Sequence, residues 1–188
     1  MRYDDRMDQH ALHAISPLDG RYAATVAALR DTCSEAGLIR ERIRVEALWL
    51  THLADAVPAL AGAALSAAVR AAAAALADAP PAAAAASVKA IEKRINHDVK
   101  AVEYYVREQL GAAGATPATL ELVHFGCTSE DINNLSYARL LRTAREQVLV
   151  PELQALIATL TSFADSHAGL PMLARTHGQP ASPTTVGK

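Results

Sequence analysis

Apolar residues recur in steps of three and four along most of this chain, and that period leaves little room for anything but helices. From Leu38 to Val57, Ile39, Ile43, Ala47, Leu50, Ala54 and Val57 form one stripe, which Leu48, Trp49 and Leu53 widen. From Ala82 to Leu110 the same spacing carries Val88, Ile91, Ile95, Val99, Val102, Val106 and Leu110. A third stripe holds Leu135, Ala138, Leu141 and Val148, and resumes beyond Pro151 with Leu153, Leu156, Leu160 and Phe163. Because the pattern picks up at once, Pro151 is expected to kink a long helix rather than end it. Between the first two stripes the run from Ala59 to Leu76 is alanine-rich and stops at Pro80-Pro81, as helix propensity and proline chemistry require. Hydrophobic residues make up 51% of the chain and aromatics only 4%, so the helices pack closely through small side chains. The fold expected is all-α, ending in the start of a long helical bundle.

Charge and cysteine content narrow the function. A net charge of −2 gives no basic field to attract nucleic acid or a membrane surface, so an anionic ligand would need a local site. Arg70, Asp78 and the two prolines interrupt the alanine-rich region, and no apolar run is convincing as a membrane span. The N-terminus is charged rather than apolar, and Cys33 and Cys127 make neither a disulfide framework nor a metal-ligand spacing. A cytoplasmic protein without a metal or organic cofactor is expected. Gly111 to Gly114 is a flexible break and Thr116-Pro117 restarts the chain, which sets an expected boundary between domains 1–112 and 113–188.

Four polar stretches interrupt the helical pattern. In SPLDGRY, Ser16 to Tyr22, Pro17, Asp19 and Gly20 mark a turn that places Arg21 and Tyr22 side by side at the start of the next helix. Arg21 is either a surface charge, with Tyr22 a packing staple, or half of a guanidinium-and-phenol grip on a phosphate or carboxylate. In INHDVKAVEYYV, Ile95 to Val106, the residues Asn96-His97-Asp98 either ride on one uninterrupted helix or start a new one. A restart would aim free backbone N–H groups and His97 at an anion. In HFGCTSEDINNLS, His124 to Ser136, Thr128 or Ser129 can cap a helix whose first turn carries Glu130 and Asp131. In RTHGQPASPTT, Arg175 to Thr185, His177 stands on a polar loop, flanked by Thr176, Gly178 and Gln179.

Together, in this order and spacing, the four strings resemble the adenylosuccinate lyases of the bacterial branch, within the fumarase and aspartase superfamily. The resemblance implies a β-elimination in which adenylosuccinate gives AMP and fumarate, and SAICAR gives AICAR and fumarate. A base takes a proton beside a carboxylate, charge accumulates on that carboxylate, and an acid protonates the departing nitrogen. His177 matches the general acid, with Thr176 and Gln179 as substrate contacts beside it. Thr128 and Ser129 match donors to the succinyl carboxylates. Arg21 and Tyr22 match contacts to the nucleotide, and Asn96, His97 and Asp98 match a second nucleotide-side group. Asp131 is expected to orient neighbours and Cys127 to pack as a small residue.

The resemblance also implies a homotetramer whose active sites form where several subunits meet. One element of the family is missing: the Gly-Ser-Ser loop, with its following Met-Pro and Lys-Asn-Pro, that carries the general-base serine has no counterpart in these 188 residues. The chain therefore reads as the N-terminal part of such an enzyme, inactive by itself. Two other classes compete with this reading: a sister lyase releasing fumarate from argininosuccinate or aspartate, and a helical scaffold without chemistry.

Overall fold

The computed structural model describes residues 9–57 and 65–188. The charged tail up to residue 8, and Leu60 with the first part of the alanine-rich run, lie outside the described residues. Nearly all the regular structure is helical. After a short α1 (Gln9–Leu12) come a 3-10 turn (Ala27–Leu29), α2 (Arg30–Cys33), α3 (Glu35–Ala56), α4 (Ala67–Asp78), α5 (Ala84–Ile95), α6 (Asp98–Ala112) and α7 (Pro117–Leu120). Then follow α8 (Ser129–Ala144), a π-helical turn (Arg145–Leu149) and α9 (Val150–Ser166). Short strands β1 (Pro171–Met172), β2 (Arg175–Thr176), β3 (Gln179–Pro180) and β4 (Thr184–Thr185) complete the described chain.

Two compact units divide the chain, Met1–Ala144 and Arg145–Lys188. In the first, α3 is the central element and packs on α4, α5, α6 and α8. Ser34 opens it, its side chain accepting the Gly37 N–H at 3.2 Å, as an N-cap serine should. The stripe Ile39, Ile43, Ala47 and Leu50 is buried against Val69, Ala73, Val88, Ile91, Val102, Val106 and Leu110 from the neighbouring helices. A second, smaller cluster joins Val45 of α3, Val99 of α6 and Ile132 of α8, with Cys127 packed against it. This small cluster matters more for function, because each of its members neighbours a polar stretch singled out above.

The expected helix after Ser16–Tyr22 is instead a series of turns. Gly20 N–H donates to the Ser16 carbonyl at 3.1 Å and Tyr22 N–H to the Pro17 carbonyl at 2.9 Å. Gly20 is required by close approach: a Cβ there would come within 2.8 Å of the Ala11 carbonyl oxygen. The open question at Asn96 resolves as a break. Asn96 adopts the left-handed conformation, φ 54°, and caps α5, while α6 begins at Asp98.

The second unit contains α9 and two antiparallel ladders, β1 with β4 and β2 with β3. The segment expected as a plain loop is thus a nested hairpin. Its turn is His177-Gly178, with φ 50° and 76°, and paired positive φ values match the twist of two-residue hairpins. Val186 N–H donates to the Leu170 carbonyl at 2.9 Å and Gly187 N–H to the His167 carbonyl at 3.1 Å, docking the hairpin on the end of α9.

At Pro151 the helix does not end. The run from Ser129 to Ser166 is one helix of 38 residues, and the π turn, Arg145–Leu149, ends two residues before the proline. Proline lacks the N–H that would bond the carbonyl four residues back and crowds it, and a widened turn is one way to accommodate both. By length and composition alone this helix is apolar enough to cross a membrane.

Candidate active site

The head of α8 is built by Asp131. Its carboxylate accepts the backbone N–H of Thr128 at 2.7 Å and the Thr128 hydroxyl at 2.9 Å. These bonds hold the Asp131 carboxyl below the usual range, the backbone bond contributing most and the hydroxyl next. The expectation that Asp131 orients its neighbours matches this geometry. Thr128 is exposed and Ser129 half-buried, at the end of the helix where backbone donors are unsatisfied.

His97 occupies the corresponding position on α6. It is the N-cap, its Nδ1 accepting the Lys100 N–H at 3.2 Å, so the imidazole does the work usually given to a serine or asparagine. Asp98 follows in the first turn. Its carboxyl lies below its ordinary range: burial pushes it up, but the Val99 N–H and the Arg42 guanidinium outweigh that.

Arg42 is what connects these two helix starts. Its Nη2 lies 2.9 Å from Asp98 Oδ2, and its Nε donates to Asn133 Oδ1 at 3.0 Å. The sequence pattern reads Arg42 as part of a solvated or subunit-facing flank with Arg40, Glu41 and Arg44. Instead only 4% of it is exposed. The fork of a guanidinium lets one side chain hold two partners on different helices, which a lysine would not do with fixed geometry. Beneath it, Val45, Val99 and Ile132 form the apolar floor. Residues from the second and third polar stretches are thereby set side by side on one surface.

Glu46, one turn further along α3, is fully buried and pairs with Nδ1 of His124 at 2.6 Å. This bond raises the His124 pKa above its ordinary 6.5, against burial, with Glu103 adding a smaller push upward and Lys100 opposing it. Trp49, a further turn on, donates its Nε1–H to the Phe125 carbonyl at 2.9 Å. Arg42, Val45, Glu46 and Trp49 thus make a second stripe on α3, offset from the main core stripe. Their spacing of three and four was the signal by which sequence reasoning could have found Arg42 and Glu46. It is obscured by the charges on it.

Cys127 packs against the small cluster, and burial, followed by the charges of Glu46 and Asp131, pushes its thiol up. A raised thiol pKa is the opposite of what a reactive thiolate needs. A cavity of about 550 Å³ opens beside it, lined by Val45, Leu48, Trp49, Ile132, Leu135 and Arg139 among others. Its walls are mostly apolar, and neither Thr128 nor Ser129 lines it. Asp131 does line it, whereas Asp98 and Asn133, the partners of Arg42, do not.

Arg21 and Tyr22 are exposed, and the Arg21 guanidinium carbon stands 5.4 Å from the centre of the Tyr22 ring. The cation–π contact keeps the two side chains together, while the Arg42 network does not include them. In the second unit, Thr176 and Gln179 are directly opposite across the β2–β3 ladder, so their side chains share one face. His177 is exposed at the turn between them. Among the described residues, no group of acidic, histidine or cysteine side chains has the arrangement of a metal site.

Known proteins resemble this chain across nearly its whole length. Adenylosuccinate lyase of Haemophilus influenzae is 46% identical over 182 residues, covering 97% of this chain and 40% of the relative. The adenylosuccinate lyase of Escherichia coli K12 is 44% identical over 187 residues with the same two shares. That of Legionella pneumophila strain Corby is 42% identical over 180 residues, covering 95% and 39%. The chain thus spans about 40% of the length of these curated relatives. Among solved structures, the 3-carboxy-cis,cis-muconate lactonizing enzyme of Pseudomonas putida superposes with a TM-score of 0.58 at 25% identity, over 86% of this chain and 34% of that one. The helical architecture is that of a lyase-fold enzyme, and the profile of the family described as lyase matches residues 20–188; the chain belongs to that family.

Proposed function

We propose that the full-length protein is an adenylosuccinate lyase, eliminating fumarate from adenylosuccinate to give AMP and from SAICAR to give AICAR. The observation that carries this reading is the Arg42 bridge between Asp98 and Asn133, which gives two separated polar stretches a common surface. A scaffold has no need of a buried guanidinium with exposed polar helix starts on either side.

In this reading a base removes a proton from the carbon beside a succinyl carboxylate, and the electron pair moves to form the double bond of fumarate as the C–N bond breaks. The departing nitrogen then takes a proton. Thr128 and Ser129, with the backbone N–H groups at the head of α8, bind the carboxylate on which negative charge develops. Asp131 accepts both the Thr128 N–H and the Thr128 hydroxyl, so in this reading Thr128 exchanges that partner for the carboxylate on binding, with Ser129 as the other donor. His177 donates the proton to the nitrogen, with Thr176 and Gln179 contacting substrate from one face of their ladder. Arg21 and Tyr22 hold the nucleotide, and Asn96, His97 and Asp98 form a second group on the nucleotide side. No metal or organic cofactor takes part in this proposal.

Residues 1–112 correspond in this reading to a first helical domain, and residues 113–188 to the opening of a central helical bundle. The full-length protein is a cytoplasmic homotetramer that binds neither nucleic acid nor membrane. The apolar face of α9 supports assembly by helix packing: Leu153, Leu156, Ile157, Leu160 and Phe163 are all more than half exposed in this chain. The experiment is to incubate the full-length protein with adenylosuccinate, argininosuccinate and aspartate separately. Turnover of adenylosuccinate alone supports the proposal. Turnover of either of the others in its place assigns a sister lyase.

A further inference from the structure

The proposed reaction leaves Glu46 without a role, yet its placement is costly. It is fully buried, one oxygen is 2.6 Å from His124 Nδ1, and the other, Oε2, has no hydrogen-bond partner among the described residues. A buried carboxylate with an unsatisfied oxygen is a poor device for stability, since an apolar side chain of similar size usually serves as well or better. Its single partner is therefore informative.

His124 is held in the left-handed region, φ 63°, which is disfavoured for a residue with a Cβ. Four residues later the chain reaches Thr128. The path between is fixed at each step: Glu46 on the His124 ring, Trp49 on the Phe125 carbonyl, Cys127 N–H on the His124 carbonyl at 3.2 Å, and Asp131 on Thr128. Gly126, φ 72°, supplies the remaining turn. Charged groups on α6 face the pair as well. Glu103 and Lys100, themselves paired at 2.7 Å, act on His124, and Asp131 acts on it from α8. The buried side of the turn is thus the His124–Glu46 contact with α3, while its exposed side is the candidate carboxylate site.

We propose that Glu46 is a positioning residue: by gripping His124 it sets the course of residues 124–128 and so fixes where Thr128 and Ser129 meet the succinyl carboxylate. The inference rests on the lyase reading for the ligand at Thr128 and Ser129, whereas the grip itself is a property of the fold. Glu46 touches no substrate. Its effect should be confined to the succinyl end, because the nucleotide-side groups are held elsewhere.

The test measures binding of the two products, fumarate and AMP, separately to the full-length protein and to its Glu46→Gln variant. Loss of at least tenfold in fumarate affinity, with AMP affinity unchanged within twofold, is expected. His124→Gln should give the same pattern, and Glu46→Gln combined with His124→Gln should be no worse than either alone, since each acts through the other. Should Glu46→Gln fail to fold, Trp49→Phe provides the second variant. It removes the other anchor of the turn while leaving the buried carboxylate in place, and the same selective loss is expected. Equal losses for both ligands, or additive losses in the double variant, overturn the positioning role. A wild-type protein that binds neither product overturns the lyase reading instead, an outcome distinct from a wild type that binds both and a variant that loses both equally.

Discussion

Arg42 shows how much a single side chain can organise. Its guanidinium holds Asp98 and Asn133 from beneath, and only 5% of the side chain is exposed, whereas Asp98 is about half exposed at 49%. Arg42→Ala removes two charge-assisted bonds and leaves Asn133 without its buried partner. The expected cost, discounted for the solvent around Asp98, is roughly 1–3 kcal/mol, read as a lower midpoint in urea unfolding. Arg42→Lys should recover only part of it, because an ammonium cannot span both partners in the same way. His124 adds a pH dependence of known sign. Its folded pKa is raised above 6.5, so its pairing with Glu46 contributes fully below that value and is lost as pH rises through the folded pKa. Asp98 acts at the other end: its folded pKa is lowered below 3.8, so its contribution is present above that value and lost as pH falls through the folded pKa. Unfolding midpoints measured across pH should therefore decline on both sides, and Glu46→Gln should remove the His124 part of the alkaline decline. Neither Arg42 nor Glu46 was legible as a site residue, because a charge on a helix is normally solvated and only packing against α8 reveals that this face is covered. The helix start at Thr128 and Asp131 was legible from its local chemistry, while the part these residues play in a site is a proposal.

At the scale of elements, the helices followed from period. The stripe of Ile39, Ile43, Ala47 and Leu50 is buried as its spacing requires, and the chain breaks at Asn96, which however ends α5 as its C-cap while His97 is the N-cap of α6. The hairpin of residues 171–185 was not legible. Its strands are two residues each, too short for an alternating pattern, and its sequence is rich in proline and threonine with no apolar face to bury. What makes it a hairpin is the His177-Gly178 turn. Gly178→Ala should strain that turn by about 1–2 kcal/mol, because φ is 76° there, and the loss should appear as faster hydrogen exchange at the Ala181 N–H, which donates to the Ala174 carbonyl. The small apolar cluster is the other element-level device. Ile132→Ala opens a hole beneath the starts of both α6 and α8, and a loss of about 2–5 kcal/mol in unfolding free energy is expected.

The molecule as a whole has a well-buried first unit and a second unit whose long helix is largely bare. No described residue of α9 is buried, and several of its large side chains are more than half exposed. That contrast accords with the proposed assembly of the full-length protein through helix packing. The chain spans about 40% of the length of its curated relatives, and the resemblance carries the expectation that these 188 residues alone are silent in catalysis. The central claim is that the full-length protein cleaves adenylosuccinate with His177 as the acid. Its most direct test follows the absorbance change on adding adenylosuccinate to the wild-type protein and to His177→Ala, with AMP and fumarate quantified at the end. The account predicts equal amounts of both products from the wild type and at least a hundredfold lower rate from His177→Ala with AMP binding retained. Turnover in the variant at the wild-type rate, or no cleavage of adenylosuccinate by a folded wild-type protein, would contradict it.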